Sequence, residues 1–272
     1  MSRLRQIGVA AESARAATGR YPDHSFNGRY ALPLIAEIES WDYATSIRDA
    51  TYGDQPAVAA TMSVWICPSD DLASLALGHQ NFRMCRGSGG RLDGSEGMLP
   101  LFVGEEGRKR VADGQSNTAL FSERLIPRRY SQHPPWNGPS ADIGPLRTVW
   151  YATKSHPMTK SGRASFLADC QSAPPEDLPV FPYWSVFWGD QWGYNHTFPP
   201  NSKACMNGPP PPGSSHLGPE VANASIPASS RHSGGVNVLF ADGRVSLIAS
   251  QIDADVWKAA GTIDGAEIED TL

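Results

Sequence analysis

Apolar residues at the start of the chain recur with the spacing of an α-helix. The stripe consists of Leu4, Ile7, Ala11, Ala14 and Ala17. Positions three or four apart lie on one helix face, so the pattern predicts an amphipathic helix over residues 1–18. Gly19 is typical of a helix end, and Pro22 cannot readily continue a helix. Because residue 1 already lies on the helical pattern, with no start signal before it, we expect this segment to be the end of a longer helix.

Further along the chain, helical and strand patterns are short and separated by loops. Residues 30–50 predict a second helix, and "MSVWICPSDD" at 62–71 predicts a short strand that ends in a Pro-Ser-Asp turn. An Asp-Gly turn at 113–114 precedes an alternating segment up to residue 124, which predicts another strand. Segments 131–145 and 199–219 are rich in Pro, Gly and Ser and predict irregular loops.

The segment "RHSGGVNVLFADGRVSLI" at 231–248 predicts two strands joined by a tight turn. Asp242-Gly243 is a strong signal for a two-residue type I′ turn, in which both central residues need a positive φ. With that loop, three residues share one face and two more extend it beyond the turn: Val236, Val238 and Phe240, then Val245 and Leu247. The other face carries Asn237, Leu239 and Ala241, so both faces are partly apolar, as in strands covered by a helix.

Composition limits the classes of function. The chain has 272 residues, of which 40% are hydrophobic and 19% charged, and its 26 Gly and 23 Pro favour a loop-rich globular body. A net charge of −5 argues against nucleic-acid binding, because no basic surface is available to neutralise phosphates. No apolar segment is long enough to span a membrane, and the chain shows no export signal of its own.

The cysteines and histidines lack the spacing of familiar metal motifs. The four cysteines are Cys67, Cys85, Cys170 and Cys205. Without a C-x-x-C pair, zinc-ribbon and thioredoxin readings are weak. The simplest pairing in chain order joins the first two and the last two cysteines, although three pairings are open. Disulfides are expected outside the cytoplasm and free thiols inside it.

A search for catalytic motifs finds none. The sequence has no H-E-x-x-H, no phosphate-binding glycine loop, no complete G-x-S-x-G and no EF-hand. His232 precedes a strand and is followed by Gly234 and Gly235, which let the backbone turn sharply. We expect its ring to hydrogen-bond a loop carbonyl or a carboxylate, with an acid–base or ligand role as the alternative.

An aromatic segment at 181–198 holds eight of the 25 Phe, Trp and Tyr residues. Such a run either fills a core or lines a binding site. We prefer core packing. The alternative is a ligand platform for sugars or other small molecules, formed by Tyr183, Trp184, Trp188, Trp192 and Tyr194.

Six ordered segments resemble a known family, the prepilin-processing-associated C-terminal domain proteins that are abundant in planctomycetes and are also labelled family 10 bacterial solute-binding proteins. They are "LRQIGVAAESARAATGRYP", "WICPSDD", "ADGQSNTALFSER", "YNHTFPPNS", the His-x9-Asp-Gly hairpin and "WKAAGTIDGAEI". The motif positions are Cys67, Pro68, Ser69, Asp70, Asp113, Gly114, Ser116, Asn117, Thr118, Glu123, Asn195, His196, Pro199, Pro200, Asn201, His232, Gly234, Gly235, Asp242 and Gly243. The family has no established activity, so the resemblance implies no catalytic residue.

The resemblance implies an extracytoplasmic protein of the pilin or pseudopilin type. Such proteins begin with a hydrophobic helix that anchors or assembles them, and membrane contact would come only through such a helix, which this sequence lacks. In that compartment the cysteines are expected to pair. The implied partners are further copies of the chain or other pseudopilin-like proteins. By analogy with pseudopilins, calcium could bind Asp70, Asp71, Asp190 or Asp242, although no loop has calcium-ligand spacing.

Together these observations predict a single α+β domain over residues 1–272. Residues 1–18 would be the end of a pilin-like helix packed on an antiparallel β-sheet, residues 19–230 a body with long loop insertions, and residues 231–272 the closing hairpin segment. We expect a non-enzymatic envelope protein, without a required cofactor, that anchors or assembles through the helix and recognises partners with its body. The alternative is an extracytoplasmic small-molecule or glycan-binding module that uses segment 181–198.

Overall fold

A computed structural model describes twelve parts of the chain: residues 2–19, 21, 63–71, 81–89, 96–98, 111–125, 146, 149–157, 159–172, 175–176, 193–208 and 224–264. The helices in these parts are α1 (Ser2–Thr18), α2 (Lys160–Ser172) and α3 (Ala254–Ala259). The strands are β1 (Phe82–Cys85), β2 (Ala119–Glu123), β3 (Val149–Tyr151), β4 (Pro175–Glu176), β5 (Gly193–Tyr194), β6 (Ala204–Met206), β7 (Ala224–Ser225), β8 (Gly235–Phe240) and β9 (Val245–Ala249). The predicted helix at 30–50 lies outside the described residues.

The described strands form two sheets. The first has five strands in the order β5-β1-β2-β8-β9, and all its pairs are antiparallel except β1 with β5. The second has the order β4-β3-β6-β7, with one parallel pair between β3 and β6. The predicted fold class, an α+β protein with an amino-terminal helix and a mostly antiparallel sheet, is confirmed.

Helix α1 packs directly on the first sheet. Four of the five predicted stripe residues are buried, and Ala17 is exposed near the helix end. The closest approach is at Gly8, where a Cβ atom would lie 2.9 Å from Cδ1 of Leu239 in β8. Gly19 ends the helix as predicted, with φ of 76° and its N–H bonded to the carbonyl of Arg15. None of the helices in the described ranges combines the length and apolar character needed to cross a membrane.

The opposite face of the first sheet is covered by α3. Trp257 of this helix packs in one hydrophobic cluster with Val236 and Val238 of β8 and with Tyr194 of β5. On the face toward α1, Phe121 of β2 contacts the ring of Trp65. All six residues of β8 are therefore buried, which agrees with the predicted strand that is apolar on both faces.

The β8–β9 hairpin has a three-residue loop, so the predicted two-residue type I′ turn is wrong. Gly243 has φ of 83°, whereas Asp242 does not have a positive φ. The N–H of Gly243 bonds the carbonyl of Phe240, and the N–H of Arg244 bonds Oδ1 of Asp242. This matches a type I turn followed by a left-handed glycine, and the aspartate side chain favours it by accepting the Arg244 bond.

The extra loop residue changes which side chains share a face. Leu239 pairs with Val245, and Asn237 pairs with Leu247. Residues directly opposite each other in an antiparallel pair point to the same side, so Val245 and Leu247 lie on the α1 face. Their predicted place beside Val236 and Val238 is wrong, because one additional loop residue shifts the register by one.

Segment 62–71 forms a turn of 3-10 helix at Ser63–Trp65 and not the predicted strand. The turn that follows is present, with the N–H of Asp70 bonded to the carbonyl of Cys67. The predicted turn at Asp113-Gly114 and the strand after it are confirmed: φ of Gly114 is 86°, and β2 begins at Ala119.

Cys170 and Cys205 form a disulfide that joins α2 to β6, whereas Cys67 and Cys85 are free and buried. The pairing of the first two cysteines is therefore wrong. Cys67 is bonded to Asn81 just before β1, and Cys85 is the last residue of that strand. Four extended residues span about 13 Å, whereas a disulfide needs Cα atoms within about 7 Å.

Candidate functional site

Cys67, Glu123 and His232 meet at one point on the α1 side of the first sheet. Nε2 of His232 lies 2.9 Å from Oε1 of Glu123 and 3.6 Å from Sγ of Cys67, and Sγ lies 3.7 Å from the same Oε1 atom. In sequence the histidine is 109 residues from the glutamate and 165 from the cysteine. Three of the segments on which the family resemblance rests thus supply one side chain each. We call this group the Cys-Glu-His cluster.

The carboxylate of Glu123 is held by the neighbouring strand. The residue ends β2, and its side chain is 2% exposed. Its Oε2 atom accepts the backbone N–H of Asn237 at 2.8 Å, and its Oε1 atom accepts the side-chain Nδ2 of the same residue at 3.0 Å. Two donors from one β8 residue therefore fix both carboxylate oxygens and direct Oε1 toward His232.

Asn81 positions Cys67 through the Cys-Pro-Ser-Asp turn. The Oδ1 atom of Asn81 accepts the N–H of Cys67 at 2.7 Å, while its Nδ2 donates to Asp70 and to the carbonyl of Arg124. The N–H of Arg124 in turn bonds the carbonyl of Asn81. Because Arg124 follows Glu123 directly, this one buried amide ties the turn that carries the thiol to the strand that carries the carboxylate.

His232 lies in the bend before β8. Its N–H donates to Oγ of Ser230, and that hydroxyl donates to the carbonyl of Gly235. Gly234 has φ of 87°, and a Cβ atom on Gly235 would lie 1.9 Å from the carbonyl oxygen of Ile248, so both glycines are required by the backbone. The imidazole is 28% exposed and forms the side of the cluster that solvent can reach.

The cluster does not have the geometry of a cysteine protease relay. In such a relay the two ring nitrogens of the histidine serve different partners. Here the thiol and the carboxylate both lie against Nε2 of His232. Burial, reinforced by the charge of Glu123, also raises the pKa of the Cys67 thiol, so the thiolate is disfavoured. What the arrangement offers is three different donor atoms that converge on one point, which is what a metal ion requires.

The predicted hydrogen bond from His232 to a carboxylate is confirmed, and it leads to a stability prediction. We expect His232→Ala to lower the free energy of unfolding by about 1 to 3 kcal/mol, because it removes a donor from the buried carboxylate of Glu123. Urea denaturation in the presence of a chelator measures this loss. In a Glu123→Gln background the same substitution should cost clearly less, because the partner charge is gone. Equal losses in both backgrounds would contradict the assigned contact.

The other motif positions on the hairpin and its neighbouring turn stabilise the backbone. Asn117 donates to the carbonyl of Asp113, and the carbonyl of Ser116 accepts Nη2 of Arg244. The Asp113-Gly114 turn therefore packs beside the Asp242-Gly243 loop, where the N–H of Asp242 bonds the carbonyl of Gln115. These residues connect the two ends of the β2–β8 pair and lie apart from the Cys-Glu-His cluster contacts.

Asn195 and His196 are buried structural residues. Asn195 donates Nδ2 to the carbonyl of Ala224, and its Oδ1 accepts the N–H of Ile226. His196 stacks on Trp257 with ring centroids 3.6 Å apart and bonds the Trp257 carbonyl through Nδ1. Burial lowers the pKa of His196 to about 3, and this hydrogen bond only partly offsets the effect.

The predicted ligand platform and calcium site receive no support from the residues that are described. Tyr194 is fully buried, so its assignment to an exposed platform is wrong. The platform residues Tyr183, Trp184, Trp188 and Trp192, and the proposed calcium ligand Asp190, lie outside the described residues. Asp70 is buried against Asn81, Asp71 pairs with Arg231, and Asp242 caps the hairpin loop. Within the described ranges, Cys67, Glu123 and His232 form the one three-residue group with metal-ligand proximity.

The sequence interpretation missed the residues that assemble the cluster. Asn81 and Asn237 lie in no recognised motif, and Cys67 was assigned to a disulfide. A second missed contact joins His156 to Asp169 at 2.9 Å on α2. Burial raises the pKa of this aspartate, but hydrogen bonds from Thr153, His156 and Lys154 outweigh that effect and hold it well below its usual value. The one available signal was that three motif segments each contained a single metal-ligating residue type.

Comparison with known proteins identifies one family. Its sequence model, described as a protein of unknown function (DUF1559) and also labelled as a bacterial solute-binding protein, matches residues 1–255. No curated protein and no solved structure shows significant similarity to the chain. The matched range includes all three residues of the Cys-Glu-His cluster.

Proposed function

Because the chain belongs to the DUF1559 family of proteins of unknown function, the family that its motifs resemble, we propose that it is a non-enzymatic, pseudopilin-like protein of the cell envelope. In this proposal α1 anchors or assembles the protein, and the body presents a surface that recognises partners. The partners are further copies of the chain or other pseudopilin-like proteins.

The packing of α1 on the sheet is the observation that carries this proposal. The helix buries one face against β8, where Gly8 allows close contact with Leu239. Its other face points outward, and Val9 is 70% exposed there. A helix that is fixed to a sheet on one side and presents apolar surface on the other can pack against a second helix.

The disulfide supports the proposed location. Cys170 and Cys205 are bonded, which is compatible with an extracytoplasmic protein because disulfides persist in oxidising compartments. The convergence of two partners on one imidazole nitrogen favours a non-enzymatic role over a thiol hydrolase. The alternative, a solute-binding module, is supported by the family label, but Tyr194 of its platform belongs to the core.

Site-directed cross-linking tests the assembly role. We expect Val9→Cys to form cross-linked dimers in the envelope fraction of producing cells, because the outer face of α1 is where copies would meet. Val256→Cys is the matched control, since Val256 is 59% exposed on α3. Non-reducing gels measure the product. Equal cross-linking at the two positions, or none at Val9, would count against assembly through α1.

A further inference from the structure

We propose that Cys67, Glu123 and His232 form a binding site for a single zinc-type divalent transition-metal ion, with Sγ, Oε1 and Nε2 as the ligands. The three side chains come from the turn after the 3-10 helix, the end of β2 and the bend before β8. This inference does not depend on the pseudopilin role, because it rests on the cluster alone.

The distances between the three atoms fit a tetrahedral ion. Tetrahedral zinc bonds place sulfur about 3.6 Å from a nitrogen or oxygen ligand, and nitrogen about 3.4 Å from oxygen. The observed separations are 3.6 Å from Sγ to Nε2 and 3.7 Å from Sγ to Oε1. Nε2 and Oε1 are 2.9 Å apart, so a small rotation of the half-exposed imidazole of His232 completes the geometry.

The donor arrangement around Glu123 already has the charge pattern of a cation site. Its Oε1 atom faces the thiol, the imidazole Nε2 and Nδ2 of Asn237. A metal ion would replace the protons of the thiol and of Nε2 and leave the Asn237 bonds intact. Asn237 and Asn81 would then be the outer residues that orient two of the ligands, as buried metal sites require.

The ligand set selects the class of metal. Thiolate and imidazole are the donors that zinc and similar transition ions prefer, whereas calcium takes six to eight oxygen ligands. The cluster offers one carboxylate, which rules it out as a calcium site of that kind. With three protein ligands, the fourth position belongs to solvent, which can enter beside the 28% exposed His232.

Metal titration of the purified, untagged chain tests the proposal. After chelator treatment, the protein is titrated with Zn²⁺ against a chromophoric chelator, and with Co²⁺ while its absorption spectrum is recorded. We expect one ion per chain and a thiolate-to-cobalt charge-transfer band in the near ultraviolet. Zn²⁺ should also raise the unfolding temperature, because it binds only the folded cluster. Absence of stoichiometric binding would overturn the proposal.

Matched cysteine variants identify the ligands. Cys67→Ser should abolish the charge-transfer band and weaken Zn²⁺ binding at least about 100-fold, and His232→Ala should weaken binding similarly. Cys85→Ser is the control, because Cys85 is the other free, buried cysteine and its thiol faces the carbonyl of Gly261. Circular dichroism checks that each variant is folded. A band that survives Cys67→Ser, or disappears in Cys85→Ser, would contradict the assigned site.

Discussion

Acidification from about pH 7 to about pH 4 is expected to remove about 3 kcal/mol of stability through His196 alone. The ring is fully buried against Trp257, and burial lowers its pKa from 6.5 to about 3. The unfolded chain therefore binds a proton near pH 6.5, whereas the folded protein resists protonation. This stabilising contribution is complete above about pH 6.5 and is lost as the pH falls toward the folded-state pKa.

Urea denaturation at a series of pH values measures this contribution when the protein is compared with His196→Asn. The variant retains an N–H donor for the carbonyl of Trp257 but does not titrate. Other groups, including Asp169, contribute to the acid dependence of both proteins, so the difference between the two curves isolates His196. If the difference stays constant between about pH 7 and about pH 4, the neutral buried state assigned to His196 is wrong.

Removal of the disulfide is expected to cost about 4 kcal/mol in the free energy of unfolding. Cys170 and Cys205 are 35 residues apart in sequence, so their bond restricts a long loop of the unfolded chain. Both residues are also fully buried beside Phe166 in the cluster that packs α2 against β6. Denaturation of the double variant Cys170→Ala/Cys205→Ala, compared with the intact protein, measures the effect.

The control for this prediction is Cys67→Ser/Cys85→Ser, which retains the disulfide and removes the two free thiols. It should lose much less stability than the double alanine variant, and a reductant should destabilise the control but leave the disulfide-free variant unchanged. If a reductant has no effect on the intact protein, the disulfide does not contribute as proposed.

Local features of the fold were predictable because neighbouring residues determine them. The spacing of Leu4 and Ile7 specified a helix face, and Gly19 specified its end. The hairpin shows where such prediction stops. Asp242-Gly243 favours two turn types that differ by one loop residue, and the structure has the longer loop. The choice depends on which face of β9 is buried, and that is decided by α1 and β8 together.

The candidate site illustrates the same boundary between local and tertiary information. Motif resemblance singled out Cys67, Glu123 and His232 individually, yet nothing in their spacing indicated contact. They meet because β2 pairs with both β1 and β8, and because Asn81 and Asn237 join the turn and the strands through buried hydrogen bonds. Such bonds form between side chains far apart in sequence, so residue types alone do not reveal them.

By itself, the sequence determined the family, the α+β class, the amphipathic first helix and the turns at glycine, since each depends on residue types or on periodicity within a short segment. Only the tertiary structure decided that Cys170 bonds Cys205, that His196 is buried against Trp257, and that a thiol, a carboxylate and an imidazole converge. The physical reason is that strand pairing and burial bring distant residues into contact, and both are properties of the folded chain as a whole.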